Sequence, residues 1–490
     1  MYDKTPVYPH QQHLTWAHEP LKSVYVSQRL FTTLLLVPLW AIYYAILPRS
    51  FRPRPSWSIT QVIVVKFTKR ISKVTEVAGV TWGTRDPTQE PDETSLNETR
   101  FAWVPPLSDE LRTGVVDDNE VQCLRVGGYC HMSAHESSGT SRIPPVEYRL
   151  LQHAPIPGAL QDAAAVYAHI VTHHLGARKG PDGNVTLQPG TVASPVADAE
   201  HRQHFETIPG HHKSSDSVDP VISGNDATPR LSIGSSHLSR VNADPVTSAY
   251  RPRIILIGDS AGGNLVLALS RWIRDEGVLP VPDGMLLLSP SCDPSHTLPQ
   301  VPASRRPRPH ADTDYLLDTP EPRALLSRTF LGHHPVEMVY SPYVSPASEW
   351  VLSVFHGMTE GMIDLEPLGP HRDSRDYRDE GIKTYDCTVN GDPRSPDVRT
   401  PASNPFIRLP PGMGLFTEFP RAMIVVGDAE RLEREVVALE RALEYDGVRV
   451  RMVWAKDAVH DILIMGAWDE RVREGVWKEI GKWVREVVAE

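Results

Sequence analysis

Residues 254–270 read IILIGDSAGGNLVLALS. A β-branched, apolar run meets Gly258-Asp259-Ser260-Ala261-Gly262, and an apolar run with helical spacing follows. The pentapeptide alone is short enough to arise by chance, so its context decides. A buried strand, a sharp turn and a helix, in that order, lift a serine hydroxyl clear of the backbone. The flanking glycines allow the tight bend. The segment 253–257 predicts a buried parallel strand, and Leu265, Leu267, Ala268 and Trp272 predict the helix. Ser260 is therefore a candidate nucleophile. Its rival reading is a serine in a structural turn.

The rest of the chain bounds the answer. Its 490 residues allow two or three domains, or one large α/β domain with insertions. A net charge of −11 argues against a nucleic-acid partner, which needs a basic face. Forty-five prolines, about twice the usual share, predict long loops. Four cysteines (Cys123, Cys130, Cys292, Cys387) form neither a disulfide framework nor a zinc-site spacing. A Cys123–Cys130 bridge is sterically conceivable, but buried free thiols are expected. The pairs His173-His174 and His211-His212 and the run 201–204 lack the acidic and cysteine partners of a metal motif, so no metal is expected.

Residues 30–47, LFTTLLLVPLWAIYYAIL, carry no charge over 18 positions. That is near the lower end of what crosses a bilayer. The run starts late and lacks a small-residue cleavage site, which argues against a removed signal peptide. It predicts a membrane anchor helix, single-pass or monotopic. The alternative is a hydrophobic helix packed on the chain's own surface. Arg49, Arg52, Arg54, Lys66, Lys69 and Arg70 follow it, which places the large domain on the cytosolic side. The sequons at Asn97 and Asn184 point to a lumen instead. The endoplasmic reticulum is compatible with either side.

Beyond the anchor, residues 51–105 predict short helical pieces, 121–126 a strand and 158–175 a helix with Leu160, Ala164, Tyr167 and Val171 on one face. From 176 to 250, Gly, Pro, Ser, Asp and His dominate and apolar periodicity vanishes, which predicts a disordered surface insertion. Strands are expected at 284–290, 422–428 and around 448–454, with helices after the last two. Residues 291–350 predict helical pieces broken by proline, and 365–410 a second loop insertion. Strands alternating with helices imply a mostly parallel sheet covered on both faces.

A serine hydroxyl needs a base, and the base needs an orienting carboxylate. In this strand–turn–helix setting the chain order is Ser, acid, His. His460 lies just after the final strand. Asp428 and Glu430 lie just after the preceding one. Either could be the acid. Asp428 also suits a cap or dipole role at the following helix.

These residues resemble the alpha/beta hydrolase fold-3 family, the hormone-sensitive-lipase-like branch, and especially its fungal members, which include steryl acetyl hydrolase-like proteins. The matching stretches are GDSAGGNL (258–265), EYRLLQHAPIPGALQDAAAVY (147–167), VGDAERL (426–432), VHDILIMG (459–466) and RPRPSWSITQ (52–61). The resemblance spans about residues 30–175 and 250–490. It implies an α/β-hydrolase fold with a helical lid and a catalytic triad of Ser260, Glu430 and His460. Glu430 rather than Asp428 is the acid by its spacing to Leu432. It also implies an oxyanion hole from the N–H groups of Gly127, Gly128 and Ala261. Arg125 and Val126 stand where the family has His and its first Gly, a departure that predicts a looser oxyanion loop and a slow or narrow activity.

The chain is thus expected to divide into an anchor segment, 1–50, and a catalytic domain, 51–490. Lid elements are expected near 51–105 and 291–350. The expected function is serine carboxylic-ester hydrolysis, of esterase, lipase or deacetylase type, on a hydrophobic small-molecule ester, without metal or organic cofactor. The alternatives are a catalytically impaired small-molecule binding protein on the same fold and a membrane-tethered interaction protein.

Overall fold

The structure is a computed structural model. It describes residues 16, 18–78, 87–92, 96, 99–131, 146–151, 153–174, 178–179, 185–186, 253–297, 310–316, 329–357, 382–387 and 413–490. Two long helices come first, α1 (Leu21–Ile46) and α2 (Ile59–Ala78). Three antiparallel strands follow, β1 (Thr99–Val104), β2 (Val126–His131) and β3 (Val146–Glu147), in the order β1-β2-β3. Helix α3 (Gly158–His169) ends in a π turn at Ile170–His174, and β4 (Arg178–Lys179) pairs with β5 (Val185–Thr186). The remaining elements are β6 (Ile255–Asp259), α4 (Ala261–Glu276), β7 (Gly284–Leu288), α5 (Glu349–His356), β8 (Ile382–Cys387), β9 (Arg421–Gly427), α6 (Glu433–Tyr445), β10 (Val450–Ala455) and α7 (Glu470–Ala489).

The main sheet runs β6-β7-β9-β10-β8, parallel except for β8. Side chains alternate across a strand with period two, and here each parity meets its own helices. Leu287, Ile424, Val426 and Met452 pack with Val436, Leu439 and Leu443 of α6. Leu286, Met423, Val425 and Val453 pack with Val62 and Val65 of α2 and Ile480 and Trp483 of α7. Burying each such side chain stabilises the fold by about 1.5–3 kcal/mol. Both faces are covered, as a parallel sheet requires. A third cluster joins α3 and α4 to Val126 of β2. Parallel strands with crossover helices bring their C-terminal ends to one edge, where the candidate site forms.

Several local expectations are corrected. The segment 121–126 is not a strand; the strand begins at Val126, because β2 is defined by its ladder with β1, from Val104↔Val126 to Thr99↔His131. The second loop insertion contains β8, a polar strand that takes the open edge of β10. Residues 59–78 form one helix of 20 residues rather than short pieces. The anchor helix starts at Leu21, well before the uncharged run, and Pro38 sits inside it. Strand β6 ends the main sheet among the described residues, so Ile257 is exposed rather than buried. Cys123 is a free, half-buried thiol. The insertion 176–250 lies outside the described residues except for β4 and β5.

Candidate active site

Strand β6 delivers the chain into Ser260, whose φ of +50° is rare for a residue with a Cβ. The glycines around it are forced by space. A Cβ on Gly258 would run into the Gly262 carbonyl and come 2.8 Å from the Gly263 nitrogen. One on Gly263 would come 2.7 Å from Pro290 Cβ. The turn is pinned to the end of β7: Ser260 N–H donates to the Leu288 carbonyl (2.9 Å), and Ser291 N–H donates to the Ser260 carbonyl (3.0 Å). Asn264 ties the start of α4 to the Ser291 and Val344 carbonyls (2.8 and 2.9 Å).

His460 arrives from the loop after β10 and is almost fully buried. Its Nε2 lies 2.9 Å from Ser260 Oγ. Its Nδ1 faces Glu430 Oε1 at 3.9 Å, longer than a hydrogen bond, and neither atom has another hydrogen-bond partner. Glu430 is held by its second oxygen, which accepts from Gly427 N–H (2.9 Å) and Ser289 Oγ (2.7 Å). Burial pushes the Glu430 carboxyl up, and the facing imidazole draws it back. Asp428 is elsewhere: it faces Arg54 across 3.8 Å, and burial outweighs that cation and pushes its carboxyl up to about 6. Of the two sequence candidates for the acid, only Glu430 faces His460.

Two residues here were not singled out by the sequence. Asp461 places Oδ2 3.1 Å from His460 Nε2, the same nitrogen that faces Ser260. Burial alone would lower the imidazole pKa. The carboxylates of Asp461 and Glu430 outweigh it and hold the imidazole well above its usual range. Ser289 donates to Glu430 and accepts from Asp461 N–H (3.2 Å), so one hydroxyl links the acid to the histidine loop. The only sequence signal for either is its place after a parallel strand. Among the described residues six non-glycine positions have positive φ, and three of them, Ser260, Ser289 and Asp461, meet at this point. Backbone strain gathers where chemistry is carried out.

Ala261 opens α4, so its N–H is one of the unsatisfied donors of a helix N-terminus. Gly127 and Gly128 occupy the middle strand of the small sheet, opposite Trp103 and Ala102 on one side and Glu147 and Val146 on the other. Such positions offer their N–H groups to ladder partners rather than to a ligand. Arg125 stacks its guanidinium 4.0 Å from the centre of the Trp103 ring, fastening the start of β2 to β1. Arg149 clamps the segment between β3 and α3 through a buried pair with Asp162 (2.8 Å). The histidines at 201–204 and 211–212 lie outside the described residues.

Comparison with known protein families agrees with this architecture. A family model described as alpha/beta hydrolase fold matches residues 234–376, a span that includes Ser260 but ends before Glu430 and His460. No curated protein matches the chain. Among solved structures, the chain is similar to a hormone-sensitive lipase from a metagenome library, at 17% identity and TM-score 0.36, covering 71% of this chain and 66% of that one. It is also similar to an esterase/lipase from an uncultured bacterium, at 13% identity and TM-score 0.42, covering 89% of this chain and 100% of that one. An esterase of Pyrobaculum calidifontis matches at 14% identity and TM-score 0.39, over 90% of this chain and 94% of that one. The family match falls on the strand–Ser260–helix turn, the remaining strands extend the same mostly parallel sheet, and the chain therefore has an alpha/beta hydrolase fold.

Proposed function

We propose that this protein is a serine carboxylic-ester hydrolase. The observation that carries the reading is the 2.9 Å contact between His460 Nε2 and Ser260 Oγ at a turn whose backbone admits little else. Ser260 Oγ attacks the ester carbonyl while His460 Nε2 takes its proton, then returns it to the leaving alcohol. Glu430 stabilises the imidazolium that forms. Ala261 N–H receives the oxyanion; the resemblance implies Gly127 and Gly128 as further donors, which requires β2 to release their N–H groups from its ladder. Water then attacks the acyl-enzyme and His460 acts again as base. The substrate class is a hydrophobic ester. Acetylated sterols or other acetylated lipids of the kind handled by the fungal members of the resembling family are the finer proposal, and it rests on that resemblance alone.

A membrane-bound site suits such esters. Helix α1 is long and apolar enough to cross a bilayer. It exposes Phe31, Leu35, Leu39, Ile42 and Ile46 along one stripe. Its other side is occupied by α2, since Arg70 Nε donates to Thr33 Oγ1 (3.1 Å) and Lys66 sits over the Tyr44 ring. Spanning would carry Arg70 to the middle of the bilayer, at a cost of about 2.5–3.5 kcal/mol for one Arg on insertion scales. The packing therefore favours a monotopic helix lying in one interface.

A second reading, a binding protein with impaired chemistry, is favoured by the 3.9 Å gap between Glu430 and His460 and by the ladder positions of Gly127 and Gly128. Hydrolysis of p-nitrophenyl acetate and longer esters by wild type, Ser260→Ala and Val126→Gly separates the two. Turnover that vanishes in Ser260→Ala supports the hydrolase. Wild type no faster than Ser260→Ala, with a gain in Val126→Gly, supports the binding protein.

A further inference from the structure

Away from Ser260, the loop before β2 meets the segment that follows residue 329. Asp118 Oδ1 accepts from the N–H groups of Glu120 and Val121, both at 2.8 Å, which fixes the carboxylate and leaves Oδ2 free of the loop. Two adjacent imidazoles converge on that oxygen, His333 Nε2 at 3.0 Å and His334 Nε2 at 3.3 Å. The three ligand atoms lie within 4.8 Å of one another. Gly332 sets up the convergence: its φ is +60°, and a Cβ there would strike the Pro155 ring.

A buried nitrogen without a partner makes this more than an ion pair. His334 Nε2 is shielded from solvent and has no hydrogen-bond partner. A cation held among Asp118 Oδ2 and the two imidazole nitrogens gives that buried nitrogen a partner. The spacing fits as well. Ligands at about 2.0–2.1 Å in a tetrahedron are separated by about 3.3 Å, close to the two observed separations.

We propose that Asp118, His333 and His334 form a divalent transition-metal site of the zinc class, with water completing the tetrahedron. Two imidazoles and one carboxylate suit Zn2+ better than the oxygen-seeking Mg2+ or Ca2+. The ion joins the loop leading into β2 to the 329–344 segment, whose Leu331, Val339 and Val344 pack on Ile156. Its role is a clamp on that approach, and it takes no part in the chemistry at Ser260.

The test uses the full chain in detergent, purified without a histidine tag and stripped of metal. Zn2+ is titrated by calorimetry, and Co2+ is followed through its visible absorption. Wild type is expected to bind one ion that Asp118→Asn and His334→Gln weaken more than tenfold, with a tetrahedral Co2+ spectrum lost in both. Asp118→Asn keeps an oxygen for Glu120 and Val121 N–H, so that variant is expected to stay folded, as circular dichroism checks. The same Zn2+ affinity and stoichiometry in both variants, or no saturable site in wild type, overturns the proposal. Ester turnover is not a readout here, so failure of this site and failure of the hydrolase reading remain distinct.

Discussion

Asp461→Asn is the most informative single substitution. Asp461 Oδ2 sits 3.1 Å from the nitrogen of His460 that must take the Ser260 proton. An opposite charge at such range changes the proton affinity of an imidazole by about ten- to a thousandfold, which is about 1.4–4 kcal/mol. The base is thereby kept protonated to higher pH than an ordinary histidine. Asparagine keeps the shape and tolerates the φ of +52° that Asp461 adopts, so the charge is the main change. With the charge gone, the acid limb of kcat/KM moves to lower pH. Near neutrality, each tenfold drop in the proton affinity of His460 frees about tenfold more neutral imidazole while the pKa stays above the assay pH, offset by a weaker base. The expected net gain is therefore about threefold or more. The assay is p-nitrophenyl acetate hydrolysis between about pH 5 and pH 10, where the limb reports the free-enzyme base. An acid limb that stays in place, or moves upward, refutes the reasoning.

Three further outcomes follow from the same geometry. Ser289→Ala removes a hydrogen bond to Glu430, and a loss of about 1.4 kcal/mol corresponds to about tenfold in kcat; unchanged kcat with unchanged pH profile contradicts its positioning role. Gly258→Ala has no room and is expected to cost about 3 kcal/mol or more. Gly262→Ala, whose Cβ meets only Asp259 Oδ1 at 3.7 Å and Tyr148 Oη at 3.9 Å, is expected to fold normally; equal thermal midpoints for the two would show that the turn is not as tight as described. Leu35→Asp with Leu39→Asp removes two exposed leucines from the α1 stripe, about 3 kcal/mol or more of buried area if that face lies in lipid. Co-flotation with phosphatidylcholine vesicles is expected to disappear, and its persistence argues against the in-plane helix.

The sequence by itself determined the parts whose signals are local. Short apolar runs marked β7, β9 and β10, because a parallel strand is buried on both faces, and helical spacing marked α6 and α7. The glycines around Ser260 marked the turn, because at Gly258 and Gly263 a Cβ has no room. It also narrowed the acid to Asp428 or Glu430, both at the end of one strand. Their separation of two residues is too small for periodicity to say which side chain faces His460, and the contact of Arg54 with Asp428 joins residues far apart in the chain. Strand β8 escaped notice because its sequence, IKTYDC, carries neither an apolar run nor a period-two apolar pattern. Ser289 and Asp461 were invisible for a similar reason. Their roles come from hydrogen bonds between the ends of β7, β9 and β10, which only the lateral pairing of parallel strands brings together. The pairing of Asp118 with His333 and His334 likewise joins two loops over 200 residues apart, through a contact no spacing rule contains.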